Sequence, residues 1–383
     1  MTSKSIRGAR SLLRFRRGLA LGTLALMAVV WGSVAAIAAN NVTFPNAKQE
    51  IAKSGVFSNI PFCGKKQITL GIHDGYGINA WSQESLAAVR SEAAKCKNVK
   101  QLVAIGGGDL QKSISDINSM VAQGAKAIVL IPDFGQAQLA SIQAATQAGA
   151  KVVPWGADPS GKPGTDYVAY VDWSSPVAGT MWANWMVKTL KGKGNVVFIG
   201  GPAGNPVTSG QLKSIVKVFA KHKGMKLLTG SKSWPVTNWD PATAQKQASA
   251  LLAKYPKIDG LISDYGTDAL AATRAFQAAN RKLVPIGTLD ANGLSCLYTK
   301  THPKNKGFQL ATISSRNWLG RIAARKAIAA AEGLPNREPA RLSLPFFEAT
   351  NQGKPARCAK GAAPDFYGSN KLSVATIKKY GKP

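Results

Sequence analysis

The sequence predicts an α/β protein built as two similar halves, each a parallel sheet with helices between its strands. Three observations carry this. From residue 68 onward, short apolar runs alternate with stretches of helical period, the pattern of successive βαβ units. The alternation breaks near Asp172 and then starts again. With 383 residues, 45% of them apolar, the chain is long enough for two cores and too apolar to remain disordered.

In the first half, strands are expected at 68–72, 100–105, 126–131, 151–154 and 167–171, and helices at 80–97, 111–123 and 136–147. Helix 80–97 places Leu86, Val89 and Ala93 on one stripe at helical spacing. A helix at 176–190 opens the second half. Strands follow at 195–199, 225–229, 258–263, 283–286 and 308–313, with helices at 206–221, 241–254, 267–279 and 318–332. Pro206 and Pro241 stand at helix openings, where a missing N–H costs nothing, and Gly149, Gly192 and Gly224 follow helix ends. The last stretch, roughly 50 residues rich in Pro, Gly and Lys, reads as an irregular wrap ending in a short helix.

The N-terminus reads as an address. Residues 1–38 hold six basic residues and no acid, and their apolar run, 19–38, closes on Ala36-Ile37-Ala38. That is the grammar of a secretory signal peptide cleaved after Ala38, leaving 39–65 as a lead-in. A retained membrane-spanning segment is the alternative, since the run is about long enough. Small residues at its end, and no basic cluster beyond it, favour cleavage. Arg16-Arg17 starts a twin-arginine pattern that the next residues do not complete.

Charge is the oddity of the composition: 49 Lys and Arg against 19 Asp and Glu, formally +30. Scattered basic residues on an exported chain point to a cationic surface facing anionic envelope lipid rather than to nucleic acid. The four cysteines lie in the exported part, where disulfides persist. Cys63 and Cys96 bracket one strand–helix unit, and Cys296 and Cys358 lie toward the C-terminus. Pairing in that order is one of three connectivities. Three histidines, with no C-x-x-C or H-E-x-x-H spacing, leave no pattern for a metal site.

Ligands of open parallel sheets bind beyond the carboxyl ends of the strands. The loops expected there, with the junction at Asp172, hold Asp74, Asp109, Asp133, Asp158, Asp172, Asp240, Asp264, Asp268 and Asp290. They also hold Trp81, Trp155, Trp234, Trp239 and Tyr265, but only Lys232 and Arg316 among the cations. Any single Asp there is equally well a helix cap or turn residue. The caps do not account for the missing cations, so the expected site is acidic and aromatic. Gly106-Gly107-Gly108 is followed by no phosphate-binding pattern and reads as a tight turn. His73, Ser174 and Ser209 fit no nucleophile elbow.

At these residues the chain resembles the periplasmic sugar-binding proteins of the ribose- and galactose-binding type, the type I solute receptors of ABC importers. The resemblance covers about residues 66–335. It rests on ITLGIHDGYGINAWSQESLAAVRSEAAKC, INSMVAQGAKAIVLIP, AGAKVVPWGADP, NWDPATAQKQASALLAKYPKIDGLISDYGTDALAATRAF and VPIGTLDANG. It implies two Rossmann-like lobes closing on a solute, 66–172 plus 316–342 and 173–315 plus 343–383. The crossings fall near Asp172–Ser174, near Ser314–Arg316 and before the C-terminal tail. Asn79 and Trp81 match the family's Asn-Pro-aromatic loop, and Trp239 its sugar-stacking aromatic. Tyr265 stands at a ligand-binding Asn, Asp290 at a ligand-binding Asp, and Ser315 at a common Gln. Two usual arginines are replaced, one by Gly156-Ala157 beside Asp158 and one by Ser209. Asp109, Asp133, Trp155 and Asn205 complete the expected ligand set by loop position.

The expected function is a periplasmic, monomeric, non-catalytic receptor without cofactor. It feeds an ABC permease with a neutral sugar or polyol, since acid-rich loops repel anions. A sensor subunit using the same cleft, or a receptor for a cationic or aromatic molecule, is the alternative. An exported hydrolase using Asp264 and Asp268, four residues apart on one helix face, lacks a supporting motif.

Overall fold

The computed structural model describes residues 55–77, 79–342 and 345–383, so the expected export signal lies outside the described residues. The first sheet holds β1 (Ile68–Asp74), β2 (Val99–Ile105), β3 (Ala127–Ile131) and β4 (Lys151–Pro154), all parallel, in the order β2-β1-β3-β4. All five residues of β3, Ala-Ile-Val-Leu-Ile, are buried, as a central strand covered on both faces requires. The connections are α1 (Ala80–Ala93), α2 (Leu110–Ala122) and α3 (Leu139–Gln147). Asp74 lies level with Ile105 and Ile131, so the turns after β1, β2 and β3 share one edge.

After α4 (Ser175–Thr189) comes the second sheet: β5 (Lys193–Ile199), β6 (Gly224–Leu227), β7 (Gly260–Ser263), β8 (Ile286–Leu289), β9 (Leu310–Ile313) and β10 (Phe346–Ala349). Their order is β10-β9-β8-β7-β5-β6, and only β10 runs antiparallel. The helices between them are α5 (Pro206–Phe219), α6 (Pro241–Lys254), α7 (Gly266–Ala278) and α8 (Asn292–Thr301). Asn205 caps α5 and Asp240 caps α6, each followed by proline, so caps at the cleft edge start both helices. α9 (Leu319–Glu332) returns to pack on the first sheet and stops at Gly333, whose φ of +80° suits glycine. Two of the inter-sheet passages pair with each other: Asp172 N donates to Ala340 O and Leu342 N to Asp172 O, both at 3.0 Å.

Disulfides join Cys63 to Cys96 and Cys296 to Cys358. Four departures from the sequence reading stand out. Segment 167–171 is not a strand; it runs beside β4, with Val168 and Val171 donating to Val152 and Pro154. α8 has no counterpart among the expected helices; it buries Leu294 and is tied down by Cys296. β8 lies three residues beyond its expected place at 283–286. The tail, grouped with the second lobe in the sequence reading, ends on the first, where α10 (Val374–Tyr380) packs on α1 and Arg90 donates to Tyr380 O at 3.3 Å.

Candidate binding cleft

The carboxyl edges of the two sheets face each other across a cleft with about 480 Å³ of space, part of it open to solvent. The turn after β1 supplies Asp74 and Tyr76, the start of α1 supplies Asn79, Trp81 and Ser82, and the end of β3 supplies Ile131 and Asp133. From the second sheet come Val207, Trp239, Asp264, Tyr265 and Leu289; Gly156 and Arg316 line the hinge side. The lobes meet around it. The Tyr76 hydroxyl donates to Asn238 O, its ring meets Trp239 edge-on at 5.3 Å, and Asn205 Nδ2 donates to Asp133 O at 3.0 Å.

Three carboxylates dominate the polar lining. Asp74 accepts from Tyr76 N at 2.9 Å; Asp264 accepts from Gly201 N at 3.0 Å and from the Thr208 hydroxyl. Asp74 Oδ2, Asp133 Oδ2 and Asp264 Oδ1 are buried without a close hydrogen-bond donor. Burial pushes all three carboxyls above their ordinary range, and for Asp133 the neighbouring Asp74 adds to the rise. Behind the cavity wall Asp268 is raised well above its usual value, again by burial first, although the Thr237 hydroxyl donates to it.

The cation of the site is Arg316. It sits at φ +62°, donates to Gly156 O at 3.1 Å, and lies 3.6 Å from Asp172 Oδ1. Its guanidinium lies over the rings of Trp81 and Trp173, at 5.5 and 5.6 Å, leaving Nε without a partner. Asn238 and Trp239 also hold left-handed backbone, at φ +54° and +53°. Non-glycine residues at such angles persist only where their surroundings over-determine them. Gly201 is one such constraint: a Cβ there would come within 2.2 Å of the Trp239 ring, so only glycine lets the indole lie flat on this turn.

Of the residues expected from sequence, Asn79, Trp81, Asp133, Trp239 and Tyr265 line the cavity. The others do not. Asp109 is exposed and caps α2 through Lys112 N, and Asp158 is exposed and closes a turn through Ser160 N. Trp155 is buried behind Trp81, with ring centres 5.8 Å apart. Asn205 caps α5 at the rim, and Ser209 lies within that helix. Asp290 is consumed by Ser315 N, Ser369 N and the Ser369 hydroxyl; Ser315 gives its carbonyl to Trp81 Nε1 at 2.7 Å. Arg316, Asp74, Tyr76, Ser82 and Asp264 were not among the expected ligands. Asp74 and Asp264 were part of the acidic strand-end set, and Arg316 was one of its two cations, so the signal was present for three of the five.

Residues 74–335 match the family model described as a periplasmic binding protein domain. The chain is 28% identical over 219 residues to the xylitol-binding protein of Mycolicibacterium smegmatis, covering 56% of this chain and 61% of that one. It is 25% identical over 219 residues to the D-xylose-binding periplasmic protein of Escherichia coli, covering 56% and 63%. The match thus spans about three-fifths of the length of these curated relatives. Among solved structures, an Agrobacterium vitis ABC transporter solute-binding protein with bound allitol superposes with a TM-score of 0.63 at 20% identity, covering 74% of this chain and 95% of that one. A galactofuranose-binding protein superposes with a TM-score of 0.63 at 16% identity, covering 82% and 100%. With the family model spanning most of the chain and a two-lobed α/β fold beneath it, the chain belongs to the periplasmic binding proteins.

Proposed function

We propose that the protein is an exported receptor of an ABC importer that binds a neutral sugar or polyol between its lobes and passes it to a membrane permease. The observation that carries this reading is the set of buried carboxylate oxygens without close donors, Asp74 Oδ2, Asp133 Oδ2 and Asp264 Oδ1, beside aromatic rings in the cleft. A polyhydroxylated solute brings O–H donors to such acceptors, in bonds that are strong where water is excluded. Its C–H faces pack against the Trp239 and Trp81 rings, while Arg316 Nε offers a donor to a ring or hydroxyl oxygen. The names of relatives that bind xylitol and D-xylose, and of a fold neighbour holding allitol, support the same class. In this reading residues 1–38 direct export to the periplasm, are removed near Ala38, and the mature chain acts as a monomer.

An organic cation is the second reading, because the one guanidinium of Arg316 is shared among Asp172, Asp133 and Asp264, which leaves the lining richer in acids than in cations. A thermal-shift screen followed by calorimetry separates the two. Pentitols and aldoses are expected to stabilise the protein, while uronates and sugar phosphates leave it unchanged. Stabilisation by amines alone selects the second reading; stabilisation by anionic sugars alone overturns both.

A further inference from the structure

The segment between β6 and α6 holds a backbone conformation that its sequence does not invite. Thr237 O accepts from Asp240 N at 3.1 Å, which closes a four-residue turn. Both central residues, Asn238 and Trp239, have positive φ, the pattern of a type I′ turn. Such turns are built mostly from glycine, asparagine and aspartate, because a larger side chain is strained at positive φ. Asn238 fits that rule and Trp239 breaks it. Among the described residues, this is the one place where two consecutive non-glycine residues are left-handed. The same turn presents the Trp239 ring to the cleft, and its Asn238 O accepts from the Tyr76 hydroxyl of the first lobe.

The contacts that hold this turn converge on Thr237, which is fully buried although Asn238 and Asp240 beside it are exposed. The Thr237 hydroxyl accepts from Trp239 N at 3.1 Å, so the strained residue finds its acceptor two positions back. On its other side the hydroxyl donates to Asp268 Oδ2 and lies 2.9 Å from Gly200 O. Gly200 O also accepts from Thr237 N at 2.8 Å, which fastens the residue twice to the end of β5. Asp268 stands in the first turn of α7 and is fully buried. A hydroxyl has one proton and two lone pairs; with the proton drawn toward Asp268 and Gly200 O, a lone pair faces the Trp239 amide. Neither Thr237 nor Asp268 lines the cavity, so both reach a solute only through the indole.

We propose, on the reading of Trp239 as a wall for the solute, that Thr237 is a positioning residue of the cleft, its hydroxyl imposing the left-handed turn that presents the indole. Asp268 orients that hydroxyl. The test uses the exported protein with isotope-labelled tryptophan, in which the Trp239 indole N–H resonance is identified by its loss in Trp239→Phe. Thr237→Ser keeps the hydroxyl, Thr237→Val removes it at equal shape, and Thr237→Val/Asp268→Leu also removes the acid that the valine leaves unpartnered. In Thr237→Val the Trp239 resonance is expected to move while the other indole signals stay, and affinity for xylitol or D-xylose to fall at least about tenfold by calorimetry. Thr237→Ser should remain close to the parent in both readouts. The double variant should recover the urea midpoint that Thr237→Val loses, because exchanging both partners for apolar groups leaves no unpaired acid. It should keep the displaced resonance and the weak binding. Recovery of resonance and affinity together with stability would assign Thr237 to the fold alone and overturn the proposal. An unmoved Trp239 resonance in Thr237→Val, or a Thr237→Ser variant that behaves like Thr237→Val, overturns it as well. If the parent binds neither solute, the reading of the cleft fails, and the resonance by itself still decides whether Thr237 sets the turn.

Discussion

Two groups of acids, one on the outer side of the first lobe and one at the cleft, are treated oppositely. On the outer side, Glu92 accepts from Arg321 Nε at 2.8 Å, from Arg325 at 3.1 Å and from Lys95 at 2.9 Å; Arg325 also donates to Glu338 at 2.7 Å and to Phe57 O. Burial alone would raise the Glu92 carboxyl, but Arg321 and Lys95 outweigh it and hold the group below its ordinary range. At the cleft, Asp74 and Asp264 are buried and Asp133 half-buried with its Oδ2 enclosed, but they have no matching set of cations, and loss of solvation prevails. Burial is therefore common to both groups and discriminates nothing. What separates them is whether the fold itself supplies the partner: α9 brings cations to Glu92, whereas the cleft leaves acceptor atoms for something outside the chain.

This contrast can be broken most severely from the outer side. Arg325→Met strips Glu92 and Glu338 of a shared partner and is expected to cost about 3–5 kcal/mol of stability, as for other broken buried pairs. Urea unfolding measures it; a loss below about 1 kcal/mol would mean the network is ornamental. On the cleft side the effect should fall on binding instead. Trp239→Ala is expected to cost about 2–4 kcal/mol of solute affinity by calorimetry, with the unfolding midpoint little changed. Asp133→Asn sharpens the comparison: it removes a charge that burial and Asp74 disfavour while keeping a polar group. Affinity should fall about ten- to a hundredfold, the worth of a hydrogen bond to a charged group, with stability equal to the parent or higher. A clear loss of stability would place Asp133 with Glu92 as a structural acid.

Glu84 lies between the two cases. It is buried and accepts from Tyr367 N and Asn370, neutral donors of the tail, and burial pushes its carboxyl up to about 8. Such a group holds its proton more tightly folded than unfolded. The stability it brings is therefore full below about pH 4.5 and is lost as the pH rises toward about 8. Urea midpoints between those limits should fall with pH in the parent and fall less steeply in Glu84→Gln, the remaining slope belonging to the buried cleft acids. A parallel decline in both proteins would assign the pH dependence to another group.

The alternation of the halves was legible because a strand buried on both faces must be apolar throughout, and Ala127–Ile131 has no other reading at its length. The chemical character of the cleft was legible for a related reason, since the loops after parallel strands share one edge and their composition can be read in advance. Individual roles were not. Asp109, Asp133 and Asp158 all follow strands of the first sheet, yet Asp109 spends its oxygen on Lys112 N, Asp158 on Ser160 N, and only Asp133 is carried into the cavity.

Residue type and spacing by themselves determined the α/β halves, the helix caps at the cleft edge and the acidic, aromatic character of the strand-end loops, because these follow from interactions within a few residues. The tertiary structure decided which acids remain available. Ser369, 79 residues beyond Asp290, arrives to take both of its oxygens, and Arg316 folds across the hinge onto Asp172 and two tryptophans. A buried polar atom is free or consumed according to donors that reach it from distant parts of the chain, and local sequence contains no record of their approach.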